Sequence, residues 1–266
     1  MKKWIYKLLL LDLFLMGMST TISAQEVGVY MWYGESKPSG NYVDNLRMVR
    51  ATDGSWTTDR PLLWKNAKDE ACVALYTPYD PNISNAEEYQ FSVPEDQSTA
   101  EALQKADLQY KSCLQITPSQ GRPTTTLRHL LSKVVVKVKA GGSVSENDLC
   151  EAGLQIRLKG VTTVAQVNLL WGSAYENGTH NKTIIPYQKD VLTWEAILPP
   201  QYFYSDFVLS MTMNNSPFTY SLSDWSIESG RIYMLTVTVN DLGQGGFNIG
   251  IEGWEDNGED YGGTVN

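Results

Sequence analysis

In LRHLLSKVVVKVKAG, residues 127–141, Val134, Val136 and Val138 fall on one side of an extended chain, while Lys133, Val135, Lys137 and Lys139 fall on the other. Side chains of a strand alternate between two faces, so the pattern predicts a half-buried strand with a solvated lysine face. Those lysines belong to an acidic chain, with a formal charge of -9 and a pI of about 4.8, and are read as a wet surface rather than a binding patch. The same period of two runs through RIYMLTVTV, residues 231–239. There Tyr233, Leu235, Val237 and Val239 form one stripe, Thr236 and Thr238 the other, and Gly230 supplies the preceding turn.

Further strands are predicted at VGVYMWY (27–33), CVALYTPY (72–79), LQIRLKGV (154–161), LTWEAILP (192–199) and DFVLSMTM (206–213), separated by Pro and Gly clusters. The fold class is therefore all-β. One stretch breaks the period: STAEALQKADLQYK, residues 98–111, has helical spacing at Ala102, Leu103, Ala106 and Tyr110. Ser98 is its expected N-cap, completed by Glu101. A chain of 266 residues with 42% apolar and 19% charged side chains is long enough for two globular domains. The glycine-rich, acidic stretch AGGSVSENDL (140–149) is the expected boundary, dividing the mature chain into residues 25–140 and 141–266. On that division the valine–lysine strand closes the first domain, its lysines discouraging further pairing.

Residues 1–24 read as a signal peptide: Lys2, Lys3 and Lys7 precede the apolar run 8–16, and cleavage is expected between Ala24 and Gln25. The leader holds no cysteine for lipid attachment, and its loss takes the formal charge from -9 to -11. That balance argues against nucleic acid or an anionic membrane as partner, since both need clustered Lys and Arg. Cys72, Cys113 and Cys150 are widely spaced and odd in number, and are read foremost as buried free thiols, with one long-range disulfide as the other option.

Catalytic chemistry is thinly represented. Only His129 and His180 are present, and GxSxG, HExxH and CxxC are absent. His129 reads as a satisfied histidine at a strand start, zinc is not expected, and no cofactor is predicted. Carboxylates are plentiful without any marked pair, and the acidic EDNGEDYGG (255–263) lacks the spacing of an EF-hand loop and reads as a solvated terminus. Among the aromatic residues, Trp194 and Trp254 fit alternating strands, whereas the pattern leaves Trp32, Trp56, Trp171 and Trp225 unplaced.

Several stretches taken in order resemble the fimbrillin family of pilus subunits on the outer surface of Gram-negative bacteria. They are VGVYMW, Asn45 in DNLRM, PLLWKNAKDEACVALYTPY, FSVPEDQSTAEALQKADL, LRHLLSKVVVKVK, AILPPQ, SGRIYMLTVTVND and IEGWEDNG. The resemblance implies two transthyretin-like β-sandwiches in tandem, export, and assembly into a fimbrium by strand donation between subunits. In that mechanism an incoming strand satisfies unpaired N–H and C=O groups while alternate side chains fill pockets. It also implies a fimbrial partner, a place at the cell surface or outer membrane, and no enzymatic activity. Surface ligands of host or bacterial origin are additional expected partners. Two family features are not matched: the lipoprotein cysteine, and a strand with a following arginine before VGVYMW. Assembly without processing is therefore expected, with cleavage at Arg47, Arg50 or Arg60, in a polar region rich in turn residues, as the other route. A tip, accessory or diverged stalk role fits better than an anchor. The rival reading is a secreted carbohydrate-binding or glycan-processing β-sandwich, for which a flat exposed aromatic platform and a carboxylate pair about 5 to 9.5 Å apart would be diagnostic.

Overall fold

β-Branched and aromatic residues at alternate positions, punctuated by turns, give a chain of short strands. A computed structural model of the protein describes residues 26–119, 125–240 and 247–252. The expected cleavage site Ala24–Gln25, Trp254 and the acidic tail lie outside the described residues. The first part comprises β1 (Glu26–Trp32), β2 (Val43–Arg50), β3 (Trp56–Thr58), β4 (Ala71–Thr77), β5 (Tyr89–Ser92), α1 (Ala100–Ala106), β6 (Gln109–Ile116) and β7 (Arg128–His129). There follow β8 (Ser132–Ala140), α2 (Glu146–Glu151), β9 (Gln155–Val161), β10 (Val164–Asn168), β11 (Ser173–Glu176), β12 (Lys182–Ile184) and β13 (Tyr187–Asp190). The remainder is β14 (Thr193–Leu198), β15 (Gln201–Phe203), β16 (Phe207–Met213), β17 (Ser216–Leu222), β18 (Trp225–Ile227), β19 (Ile232–Val239) and β20 (Phe247–Glu252). The all-β class is as expected.

Five sheets result. A six-stranded sheet has the order β3-β2-β1-β4-β6-β7, a four-stranded sheet β12-β9-β16-β17 and a five-stranded sheet β13-β14-β8-β19-β20; β11-β10-β5 and β15-β18 are smaller. Neighbouring named strands run antiparallel except β8 and β19, which are parallel. In the six-stranded sheet, alternation buries both faces. Val27, Val29 and Met31 of β1 join Val73 and Leu75 of β4 in one apolar cluster, while Tyr30, Trp32, Ala74 and Tyr76 face the larger core shared with the other sheets. Gly28 is required there, because a methyl group at that position would overlap the Tyr76 ring laid across β1.

Three expectations are corrected. The valine–lysine strand is not the last strand of the first sheet but the central strand of the five-stranded sheet, hydrogen-bonded to β14 and β19. The physical reason is its apolar content on both faces: Val135 is buried on the lysine side, beside Lys133, which pairs with the buried Glu195 at 3.5 Å. Lys137 is exposed, as a solvated lysine face requires. Next, the first helix starts one residue late: its N-cap is Thr99, which accepts from Ala102 N at 3.1 Å. The Ser98 N–H is already engaged by Asp96 Oδ1. The helix also ends at Ala106, and the final residues of the predicted stretch open β6. Finally, Cys72 and Cys113 are not free thiols. Antiparallel pairing of β4 with β6 brings their Cα atoms to 4.8 Å and they form a disulfide, while Cys150 is exposed on α2 rather than buried.

Two buried glutamines tie distant segments together. Gln97 Nε2 donates to the Ile197 carbonyl and its Oε1 accepts from the Ile197 N–H, both at 2.8 Å. Gln201 Oε1 likewise accepts from Thr162 N at 2.9 Å and its Nε2 donates to Thr162 O at 3.3 Å. Each carboxamide stands in for one rung of a β-ladder.

Candidate assembly site

An edge strand exposes a row of backbone donors and acceptors, and proteins ordinarily shorten, cover or charge such edges. In the six-stranded sheet β6 is paired to β4 along its whole length, from Ala71↔Ile116 to Thr77↔Gln109. On its other side, β7 pairs only with Gln109 and Tyr110. Among the described residues, no strand lies beside the outer edge of Lys111 to Ile116. The core is also thinner here: Tyr110, Cys113 and Leu114 are half-buried and pack against the two apolar clusters, whereas β1 and β4 are buried at every position but Glu26, Cys72 and Thr77.

Three features hold this edge in place. His129 Nδ1 lies 2.6 Å from Asp107 Oδ1, anchoring β7 to the end of α1, so His129 is the satisfied histidine expected from the sequence. The disulfide Cys72–Cys113 staples β6 to its neighbour. Opposite Ala74 the register shifts, so that β6 carries an extra residue at Ser112–Cys113, a bulge that turns the strand and re-aims its side chains.

The tip of the β10–β11 hairpin is packed against the same strand. Asn168 Oδ1 accepts from the N–H groups of Leu170 and Trp171, each at 3.0 Å, and Gly172 N donates to Asn168 O at 2.8 Å. Gly172 has φ +72, and a methyl group there would overlap the Tyr110 ring of β6. The turn therefore fixes Trp171 beside β6 with 70% of its surface in water. Trp32, Trp56 and Trp194 are buried, and Trp225 stacks on Phe203 at 5.1 Å.

Of the arginines considered for processing, Arg47 and Arg50 lie on β2, paired with β1 and β3, rather than in a turn region. Arg47 is also ion-paired to Glu26 and to Asp59, the latter at 3.7 Å. Arg60 lies beyond β3 and is exposed. Within β2, Asn45 (φ +44) accepts from the Tyr76 hydroxyl at 2.6 Å and donates to Asp80 O at 2.8 Å. Burial pushes the phenols of Tyr30, Tyr76 and Tyr89 well above their ordinary value.

Elsewhere, Tyr202 and Tyr204 form an edge-to-face pair at 4.6 Å and 66°, not a flat platform. His180 sits between Glu176 at 2.6 Å and Asp206 at 3.5 Å. Among the described residues, no group of three or more His, Cys, Asp or Glu side chains could hold a metal ion, and no helix is long and apolar enough to cross a membrane. Sequence reasoning missed β6 because helical spacing was extended through Tyr110. Leu114 and Ile116, two residues apart beyond the bulge and packed with the same apolar cluster, were the available signal.

Largely antiparallel sheets define an all-β protein whose notable surface, among the described residues, is a strand edge. The family comparison makes the class specific: the fimbrillin-like family model matches residues 18–254, and the chain belongs to that family. No curated protein matches the sequence. Among solved structures, a Bacteroides uniformis protein provisionally assigned to cell adhesion is similar, at 19% identity and TM-score 0.71, covering 86% of this chain and 91% of its own. A fimbrial protein from Bacteroides ovatus aligns at 14% identity and TM-score 0.54, over 82% of this chain and 44% of its own. The tip fimbrial protein Mfa3 from Porphyromonas gingivalis aligns at 7% identity and TM-score 0.52, over 87% and 94%. These likenesses are likenesses of fold.

Proposed function

We propose that this protein is an exported structural or adhesive subunit of a cell-surface fimbria, in a tip, accessory or diverged stalk position, joined to neighbouring subunits by strand pairing at the outer edge of β6. The observation that carries the reading is the edge itself: beyond Tyr110 no described strand lies beside β6, and Cys113 and Leu114 beneath it are half-buried. An added strand would satisfy backbone groups and complete both apolar clusters at once. The role needs no catalytic group and no cofactor. We also read the chain as two β units, with β8 counted in the second because both its partners are there. Processing is not required: cleavage after Arg47, Arg50 or Arg60 would sever the chain between β1 and β4, which are neighbours in one sheet.

The test is a photo-crosslinking side chain at the exposed position 115, in protein beginning at Gln25. Cross-linked multimers are expected from position 115, and only background from the exposed position 151 on α2. Equal background at both positions would end the reading. Mass spectrometry of surface-extracted protein should return chains starting at residue 25, and chains starting just after one of the three arginines would overturn assembly without processing.

A further inference from the structure

We infer that Asn177 is a site of spontaneous covalent modification, losing its side-chain amide through attack by the main-chain nitrogen of Gly178. The site lies on the connection 177–181 between two edge strands, β11 and β12, and is independent of the β6 edge. The reaction needs a carboxamide, a following main-chain nitrogen free to reach it, and no side chain in the way. Among the described residues, Asn177 is the one asparagine followed by glycine. Gly178 is exposed and has φ +152, a conformation that residues with a side chain rarely adopt. The N–H groups of Asn177 and Asn181 donate to Val164 O and Thr179 O, each at 2.9 Å, whereas that of Gly178 has no acceptor among the described residues. The Asn177 carboxamide is held at one atom alone, its Nδ2 donating to Gln166 Oε1 at 3.2 Å. Asn45, by contrast, is engaged through both Oδ1 and Nδ2 and precedes a leucine.

The chemistry balances with water alone. Hydroxide takes the Gly178 N–H proton, the nitrogen bonds to Asn177 Cγ, and the side-chain nitrogen leaves as ammonia, closing a succinimide ring. Water then opens the ring at either carbonyl. Opening at Cγ gives aspartate in the ordinary chain; opening at the main-chain carbonyl gives isoaspartate, with the chain running through Cβ and Cγ. No electrons are transferred. Either product adds a negative charge next to Glu176, which lies 2.6 Å from His180 Nε2. Aspartate keeps the length of the main chain, and Gln166 can meet it by turning its amide to donate. Isoaspartate inserts an extra main-chain carbon directly after the N–H that closes onto Val164 O, so the end of the β10–β11 ladder and the short path to β12 no longer match.

The experiment ages the protein beginning at Gln25 at mildly alkaline pH and follows it by native isoelectric focusing and peptide mapping. A species more acidic by one charge is expected, with residue 177 converted to a mixture of aspartate and isoaspartate ahead of the other asparagines in residues 26–119 and 125–240. Asn177→Gln should remove that species. Asn257, which also precedes a glycine and lies outside the described residues, is scored on its own peptide, so the two conversions are told apart. A parallel sample in urea shows what the unfolded chain does. If residue 177 stays an asparagine in the native protein, whether or not it converts in urea, the inference is wrong. Conversion no earlier than at asparagines followed by larger residues would overturn it equally.

Discussion

The Gln97 carboxamide, fully buried, meets both backbone groups of Ile197, and nothing else among the described residues takes their place. Truncation leaves a buried donor and a buried acceptor unsatisfied, at about 1–3 kcal/mol each. Gln97→Ala should therefore lower unfolding free energy by about 3 kcal/mol in urea titrations, whereas the exposed Gln115→Ala should change it little. The role of Gln97 was not legible in FSVPEDQST, where a glutamine among turn residues reads as solvated; its partner lies on a strand far along the chain. Tyr30, Tyr76 and Tyr89 give a pH dependence of definite sign. Their folded-state values are raised, so the stabilising contribution is complete below the unfolded value of about 10 and is lost as pH rises above it. Tyrosinate absorbance should show these three phenols titrating together with loss of near-ultraviolet circular dichroism, and an independent titration well below the unfolding transition would contradict it.

Strands whose apolar residues alternate over six or more positions were legible: β1, β4, β9, β14, β16 and β19 fall within two residues of the sequence expectation. Their pattern is set by burial on one or both faces, which is local information. β6 escaped because its first residues continue a helical pattern and its bulge breaks the alternation, and α2 escaped because it lies in a stretch read as a linker. In hindsight Ser145 and Asp148 mark α2, forming a reciprocal capping box. The disulfide was equally hidden, since 41 residues separate Cys72 from Cys113 and only the β4–β6 register joins them. A crosslink of that span restricts the unfolded chain by about 4 kcal/mol in the loop-entropy account. Cys72→Ser/Cys113→Ser should lower the urea midpoint correspondingly, and reductant should shift the parent toward the double variant without affecting it. No shift in either would show that the staple contributes nothing.

At the scale of the whole molecule, the fold class and family were legible and the arrangement of sheets was not. The stretch 140–149 has a boundary-like composition, yet β8, which runs into it, pairs with β14 and β19 far beyond it. Hydrogen bonds between β5 and β10 also cross it. Composition reports how polar a connection is; it does not report which strands lie beside one another. The candidate site was invisible for the same reason, because an edge with no neighbour among the described residues is set by long-range pairing, which a residue pattern does not report.

The parallel register of β8 with β19, Lys133 beside Ile232, has a consequence in time. Pairing so remote in the chain closes slowly, because a long loop must be brought together before the contacts reward it. The five-stranded sheet cannot be completed until nearly all of the polypeptide has been made. A chain whose middle waits for its end keeps the long valine-rich strand β8 without its β19 partner until synthesis is nearly complete.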